Sequence, residues 1–290
     1  MELGPYILLA TLEGAVTAAV LALTAVGLSL VFGVMRVVNI AHGEFFMLGA
    51  VIAWYVAHYM GGHPALGFVA ALVLAPLLVG GLAVAADMTI LKRIEYDPER
   101  TIVATIGLLY IIQQLTLMTY GPEARPVEPP FNERIALPWF EFGEDGRDFY
   151  YPWGLSTTSY KLAVIGAAAA VLAGVWAMMT RTKVGLLMRA TQADREMALA
   201  FGIPVERVYA IVFGIGAELD INHSFLYLFM VIIGGLGSLP GTVVAAIIIG
   251  LSDGIISVFF SPTLAKILAT LLVGLVLVFR PQGLFGTRAA

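Results

Sequence analysis

The chain has 290 residues, 60% of them hydrophobic and only 12% charged, with a net charge of −4 and a mean hydropathy of +0.91. A soluble domain carries about 25% charged residues, so this is an integral membrane protein, with no room for a separate soluble catalytic domain. There is no cysteine, which excludes disulfides, thiolate metal sites and a cysteine nucleophile.

A hydrocarbon core about 30 Å thick takes roughly 20 residues of helix per crossing. The expected fold is therefore all-α: a polytopic membrane helix bundle of about eight spans, some of them broken or short, in a single domain over residues 1–290. The first apolar run, Tyr6–Phe32, is too long for the core of a signal peptide and has no basic leader, since Glu2 precedes it. It reads as a retained span.

Next comes Gly33–Gly49, in which Arg36, Asn39, His42 and Glu44 do not belong in lipid. Such a run is either a water-exposed loop or a break in the helices that lines a polar cavity, because irregular backbone at membrane depth persists only where protein or water satisfies it. The interleaved Val34, Met35, Val37, Val38, Ile40 and Ala41 favour the cavity, or its edge.

Phe45–Tyr59 is a second span, ending in the interfacial aromatics Trp54, Tyr55 and Tyr59. A turn at Gly61-Gly62-His63-Pro64 leads to a third span, Ala65–Leu91. A charged loop, Lys92–Arg100, precedes the fourth, Thr101–Thr119, which carries Gln113 and Gln114. Residues 121–159 form a long loop rich in proline and aromatics, and Lys161–Met179 is a fifth span. Residues 181–207 are polar, basic and helical in part. Val208–Leu219, Phe225–Ile233, Val243–Phe260 and Leu264–Phe279 complete the apolar segments, with Gly234-Gly235-Leu236-Gly237-Ser238-Leu239-Pro240-Gly241 between the second and third of these.

Lys and Arg in short loops stay in the cytoplasm. The 92–100 loop, the 181–207 segment and the tail are basic, whereas the 121–159 loop holds seven acids against three arginines. That loop is expected outside and the other three regions inside, with the N-terminus outside and the C-terminus cytoplasmic. Within 181–207, Leu187, Ala190, Asp194, Met197 and Phe201 recur at helical spacing, which predicts a short helix with one mildly apolar face, stopped by Gly202 and Pro204. Such a helix at a membrane surface lies on lipid, ties spans together or docks into another protein's groove.

Together these stretches resemble a known family. Asn39-Ile40-Ala41-His42-Gly43-Glu44, preceded by Gly27-Leu28-Ser29-Leu30-Val31-Phe32-Gly33, is similar to the N-terminal signature of permease subunits of branched-chain amino acid ABC importers. Gly185-Leu186-Leu187-Met188-Arg189-Ala190, followed by Asp194, Ala198 and Gly202, resembles their cytoplasmic coupling segment. The glycine run at 234–241 and Pro281-Gln282-Gly283-Leu284-Phe285-Gly286 resemble their C-terminal signatures.

The resemblance implies a transport subunit of an ATP-driven importer, not an enzyme, in a bacterial plasma (inner) membrane. Its partners would be a second permease subunit, identical or homologous, two ATP-binding cassette subunits, and a periplasmic or extracellular solute-binding protein; nucleic acid is not among them. ATP with magnesium would sit on those partner subunits, and no cofactor on this chain, which has no Gly-x-x-x-x-Gly-Lys-Ser/Thr loop to cradle phosphates. The solute would be a branched-chain amino acid or a related small polar molecule such as urea or an amide.

Coupling to the ATPase would fall to Gly185, Arg189, Ala190, Asp194, Ala198 and Gly202, with Arg189 and Asp194 as a charged rim; the alternative is that they only shape the loop. Asn39, His42 and Glu44 are candidates for the pathway. A helix starting near Gly43 would offer free amides to an anion, as broken transporter helices do to a substrate carboxylate. Capping by Asn39 or Glu44 and simple packing by His42 compete with that role. Gln113 and Gln114 line the pathway or bond across helices. Gly234, Gly235, Gly237 and Gly241, and the pair Gly250 and Gly254, suit close helix packing.

One departure stands out. In the family a longer run precedes the glycine signature, whereas here Glu218-Leu219-Asp220-Ile221-Asn222-His223 joins two short apolar pieces. Either the protein has lost a piece or a segment is left out; the second is the expectation, with the two ends far apart or poorly ordered. Other classes fit less well. An ion-coupled secondary transporter or channel usually shows intramembrane acids or repeats, but Glu13, Asp87 and Asp253 are scattered. An intramembrane enzyme would need paired catalytic groups, and the four histidines have no His-x-x-x-His spacing.

Overall fold

The computed structural model describes residues 3–61, 63–123, 133–137, 139–143, 146–150, 156–216 and 237–280. The chain opens with α1 (Leu3–Met35), a helix of 33 residues. At 1.5 Å per residue it is about 50 Å long, more than enough to cross the bilayer. It is apolar all round, as a helix buried among others must be, and Ala10, Ala25 and Val31 on it are fully buried. After a non-helical stretch come α2 (His42–Tyr59) and α3 (Pro64–Ala86). Pro76 does not interrupt α3, as membrane helices allow.

The C-terminal end of α3 is irregular: a π turn over Asp87–Leu91, then a 3-10 turn over Lys92–Ile94. Asp97 then caps α4 (Pro98–Thr119), its Oδ1 accepting from the Arg100 amide at 2.9 Å, with proline in the first turn.

The 121–159 loop departs from the all-helical pattern. Strands β1 (Arg134–Ala136) and β4 (Ser156–Thr158) pair antiparallel, as do β2 (Trp139–Gly143) and β3 (Gly146–Tyr150). Helix α5 (Ser159–Arg181) follows, then α6 (Lys183–Ala193), α7 (Arg195–Ala200) and α8 (Val205–Gly216). Last come α9 (Leu239–Phe259) and α10 (Pro262–Phe279), capped by the hydroxyls of Ser238 and Ser261 at 3.3 and 3.2 Å.

Among the described residues five helices are long and apolar enough to cross a membrane: Gly4–Met35, Ala65–Ile94, Pro98–Thr119, Ser159–Arg181 and Leu239–Phe259. Helices α2 and α10, with 18 residues each, rise about 27 Å, and α8, with 12 residues, about 18 Å. These are the short members of the bundle. The junction at Glu218–His223 and the apolar piece Phe225–Ile233 lie outside the described residues.

Helices α1 and α9 touch through small residues. A Cβ on Gly14 would stand 2.9 Å from Leu251 Cα; one on Gly254 would collide with Gly14, and one on Gly250 with Ala18. In lipid there is no hydrophobic drive between helices, so this backbone contact and its dispersion energy hold the pair. A second core gathers where α1, α2, α3 and α8 meet, with Phe45 edge-on to Phe213 at 5.9 Å.

The bundle has two distinct ends. At one, Lys161 at the start of α5 pairs with Glu13 of α1, and the Ser159 amide donates to Glu133 beside the strands. At the other lie Arg36, the 92–97 turn and α6–α7, joined by contacts described below.

Candidate functional site

Helix α1 stops at Met35 because Arg36 adopts a left-handed conformation (φ 55°), which costs an L-residue about 1–2 kcal/mol. The chain regains helical form only at His42. Val37, Asn39 and Ala41 between them are buried, while Arg36 is exposed. The break is thus enclosed by protein, not a water-exposed loop.

Its polar groups are held locally and across the fold. Asn39 Oδ1 accepts from the Ala41 amide at 3.0 Å, closing a side-chain turn. Since Ala41, not Asn39, precedes the first residue of α2 and has no side-chain cap, Asn39 is not the helix cap. The Ile40 amide donates to Thr105 Oγ1 of α4 at 3.3 Å. His42 Nε2 lies 3.2 Å from the Thr24 carbonyl of α1. A carbonyl only accepts, so Nε2 carries the proton and Nδ1 is left as an acceptor.

Among the described residues, three buried side-chain atoms of this region have no protein partner: Ser29 Oγ, Asn39 Nδ2 and His42 Nδ1. Each such group costs about 1–3 kcal/mol, and in a native fold it points to water or a solute that satisfies it. Glu44 is half-buried in the first turn of α2, where negative charge suits the helix dipole. The amides of His42 and Glu44 are already engaged by Asn39 and Ala41 carbonyls at 3.4 and 3.1 Å. The start of α2 therefore offers fewer free donors to an anion than a bare helix end. Gln113 and Gln114 lie on the exposed side of α4, about two turns beyond Thr105, and do not join this group.

The 183–202 segment is two helices, not the single helix its periodicity predicts. Thr182 caps α6 through Gly185 N at 3.1 Å, and Asp194 breaks the run to cap α7 through Met197 N at 3.0 Å. Gly185 is indispensable sterically: a Cβ there would collide with the Met178 and Met179 backbone at the end of α5. Ala198 is buried, Ala190 half-buried, and Arg189 exposed with its Nε near its own helix at Gly185 O, 3.4 Å away. Gly202 ends α7 at φ 77°, a conformation glycine adopts without strain. Of the predicted apolar face, Leu187 and Ala190 on α6 are half-buried, whereas Met197 and Phe201 beyond the break face outward. Leu186, Met197, Leu199 and Phe201 are exposed, Phe201 to 78%, in a setting of Arg189, Asp194, Arg195 and Glu196.

Gln192, which no spacing marks, joins the two regions. Its carbonyl accepts from Arg36 Nη2 at 3.4 Å, and its amide donates to Gly237 O at 3.2 Å. Gly237, at φ 81°, stands so close to Gly33 that a Cβ on either would come within 3.1 Å of the other's Cα. Gly241 is buried in the first turn of α9; Gly234 and Gly235 lie outside the described residues. Among the described residues no three of His, Asp or Glu gather round a point where a metal ion would sit.

This arrangement, a buried helix break tied to a surface helix pair, meets a matching sequence pattern. Residues 10–219 match the family described as branched-chain amino acid transport system / permease component. The chain belongs to this family. Among similar curated proteins, the high-affinity branched-chain amino acid transport system permease protein BraD of Pseudomonas aeruginosa is 25% identical, over 91% of each chain. The corresponding LivH proteins of Escherichia coli K12 and Salmonella typhimurium LT2 are each 24% identical, over 97% of this chain and 96% of theirs. No solved structure matches. As a family member the chain is a multi-pass membrane permease component. The family match stops at residue 219, within the Glu218–His223 junction. The alignment with the Escherichia coli permease runs over 317 positions, so that relative carries residues with no counterpart in these 290.

Proposed function

We propose that this permease passes a branched-chain amino acid across the bacterial inner membrane, driven by ATP hydrolysed on partner subunits. The observation that carries this reading is the pair of unmatched atoms in the helix break. Asn39 Nδ2 is a spare donor and His42 Nδ1 a spare acceptor, both buried. A donor suits a carboxylate and an acceptor suits an ammonium group, the two ends of an amino acid. The apolar neighbours Val37 and Phe45 suit an aliphatic side chain.

The α6–α7 surface is the docking face for an ATP-binding cassette subunit, and ATP with magnesium belongs to that partner. Exposed Leu186, Met197, Leu199 and Phe201, on the same two helices as exposed Arg189, Asp194, Arg195 and Glu196, supply the apolar and charged residues a protein interface combines. With that face cytoplasmic, the strand-bearing loop and the N-terminus fall outside. There a solute-binding protein delivers its cargo, and a second permease subunit completes the pathway. The names of the similar proteins support the solute class.

The test is to purify the chain with its co-expressed partners and reconstitute it in vesicles. Leucine uptake should require ATP and survive collapse of the proton gradient. Uptake by this chain alone, driven by that gradient, would instead make it an ion-coupled secondary transporter.

A further inference from the structure

The C-terminal end of α3 carries more strain than a connecting turn requires. Its last turn is a π turn, Asp87–Leu91, a form that is rare and concentrated at functional sites. Two successive residues, Glu95 and Tyr96, are then left-handed at φ 58° and 56°. Neither is glycine, and each costs about 1–2 kcal/mol. Such strain persists only where the surroundings over-determine it.

What holds it is the Tyr96 side chain. Its ring is buried edge-on to Tyr209 of α8, centroids 4.7 Å apart at 81°, and its hydroxyl donates to Asp87 Oδ2 at 3.4 Å. Burial, and next the neighbouring Asp87 carboxylate, push the Tyr96 phenol up, so it keeps its proton to donate. Asp87 is itself buried, and its Oδ1 has no protein partner among the described residues. A buried carboxylate is costly unless paired, so this bond matters to both residues. The guanidinium of Arg195 stands over the Tyr209 ring, 5.7 Å from its centroid, within cation–π range. Arg195 is the first residue of α7, so its position follows that helix. A salt bridge from Lys92 to Glu206, 2.6 Å long, runs alongside at the surface.

We propose that Arg195, Tyr209, Tyr96 and Asp87 form a relay through which displacement of α6–α7 reaches the C-terminal end of α3. They are positioning residues, and the inference rests on the ATP-driven permease reading above. The π turn supplies the switchable element. Its i→i+5 hydrogen bonds enclose one residue more than those of an α-helix, so releasing that residue resets α3 by one register step. Discrete steps of this kind, rather than elastic bending, carry motion through packed helices.

The experiment compares wild type, Tyr96→Phe, Tyr209→Leu and the double variant in the reconstituted complex, reading leucine taken up per ATP hydrolysed. Both sites are buried, so neither touches a docked partner directly. Each single variant should lower the ratio about five-fold while ATP hydrolysis persists, and the double should fall no further than about two-fold below the worse single, because links in one chain do not add. Tyr209→Phe, which keeps the ring, should restore the ratio. Tyr96→Phe removes one oxygen only, so it keeps the test open if Tyr209→Leu fails to fold. Unchanged ratios, or single effects that multiply in the double, overturn the relay alone. A wild-type complex without ATP-driven uptake overturns the permease reading and the relay with it.

Discussion

Asn39 does two things with one side chain. Its oxygen closes the turn that breaks the helix, at 3.0 Å from the Ala41 amide, and its nitrogen is left over. Asn39→Ala should therefore act twice: a stability loss of about 1 kcal/mol for the turn bond, read by thermal melting, and a fall in leucine uptake larger than that loss accounts for. Uptake that simply tracks the melting shift would reduce Asn39 to a turn-former. Asn39 and His42 were legible in the sequence because polar residues inside an apolar run demand partners. The long-range contacts of the break were not, since Thr24 lies 18 residues from His42 and Thr105 lies 65 from Ile40, whose amide it accepts from. Gln192 was silent for the same reason: its contacts with Arg36 and Gly237 span 156 and 45 residues.

At the scale of elements, α6 and α7 show what periodicity can and cannot see. Apolar and small residues continue at helical spacing through Asp194, so the pattern reads as one helix. The break comes from Asp194 capping the next helix, an option open to any aspartate followed by helix formers. Asp194→Ala should cost about 1 kcal/mol and loosen the α6–α7 corner, while Asp194→Ser keeps a capping oxygen and most of the stability. Melting of the two variants checks the cap. If Asp194→Ser melts like wild type yet lowers uptake, the charge itself serves the docking rim. The strands at 134–158 were missed because the prolines of that loop hid them. The pairing of Gly143 with Gly146, and of Trp139 with Tyr150 at the far end, was nevertheless readable in the aromatic runs that the two strands carry. The long spans were the easiest to read, α1, α3, α4 and α5 each ending within a few residues of their apolar runs.

Across the whole molecule the contacts sort the chain into two ends, and function follows from which end meets which partner. The helix break, the strained end of α3 and the α6–α7 pair share one end through Gln192, Tyr209 and the Lys92–Glu206 bridge. The strands and the Glu13–Lys161 pair share the other. Under the proposed relay, a push on α6–α7 reaches the break and α3 within one packed unit. Because the chain has no cysteine, one introduced thiol reports its own surroundings. The most direct measurement is labelling of Leu199→Cys and, separately, Ile135→Cys with a membrane-impermeant maleimide, in vesicles of both orientations, with and without the ATP-binding cassette partner. Leu199→Cys should react only from the cytoplasmic side and be shielded when the partner is bound, and Ile135→Cys only from outside. Reaction of Leu199→Cys from outside, or no shielding by the partner, would contradict the account.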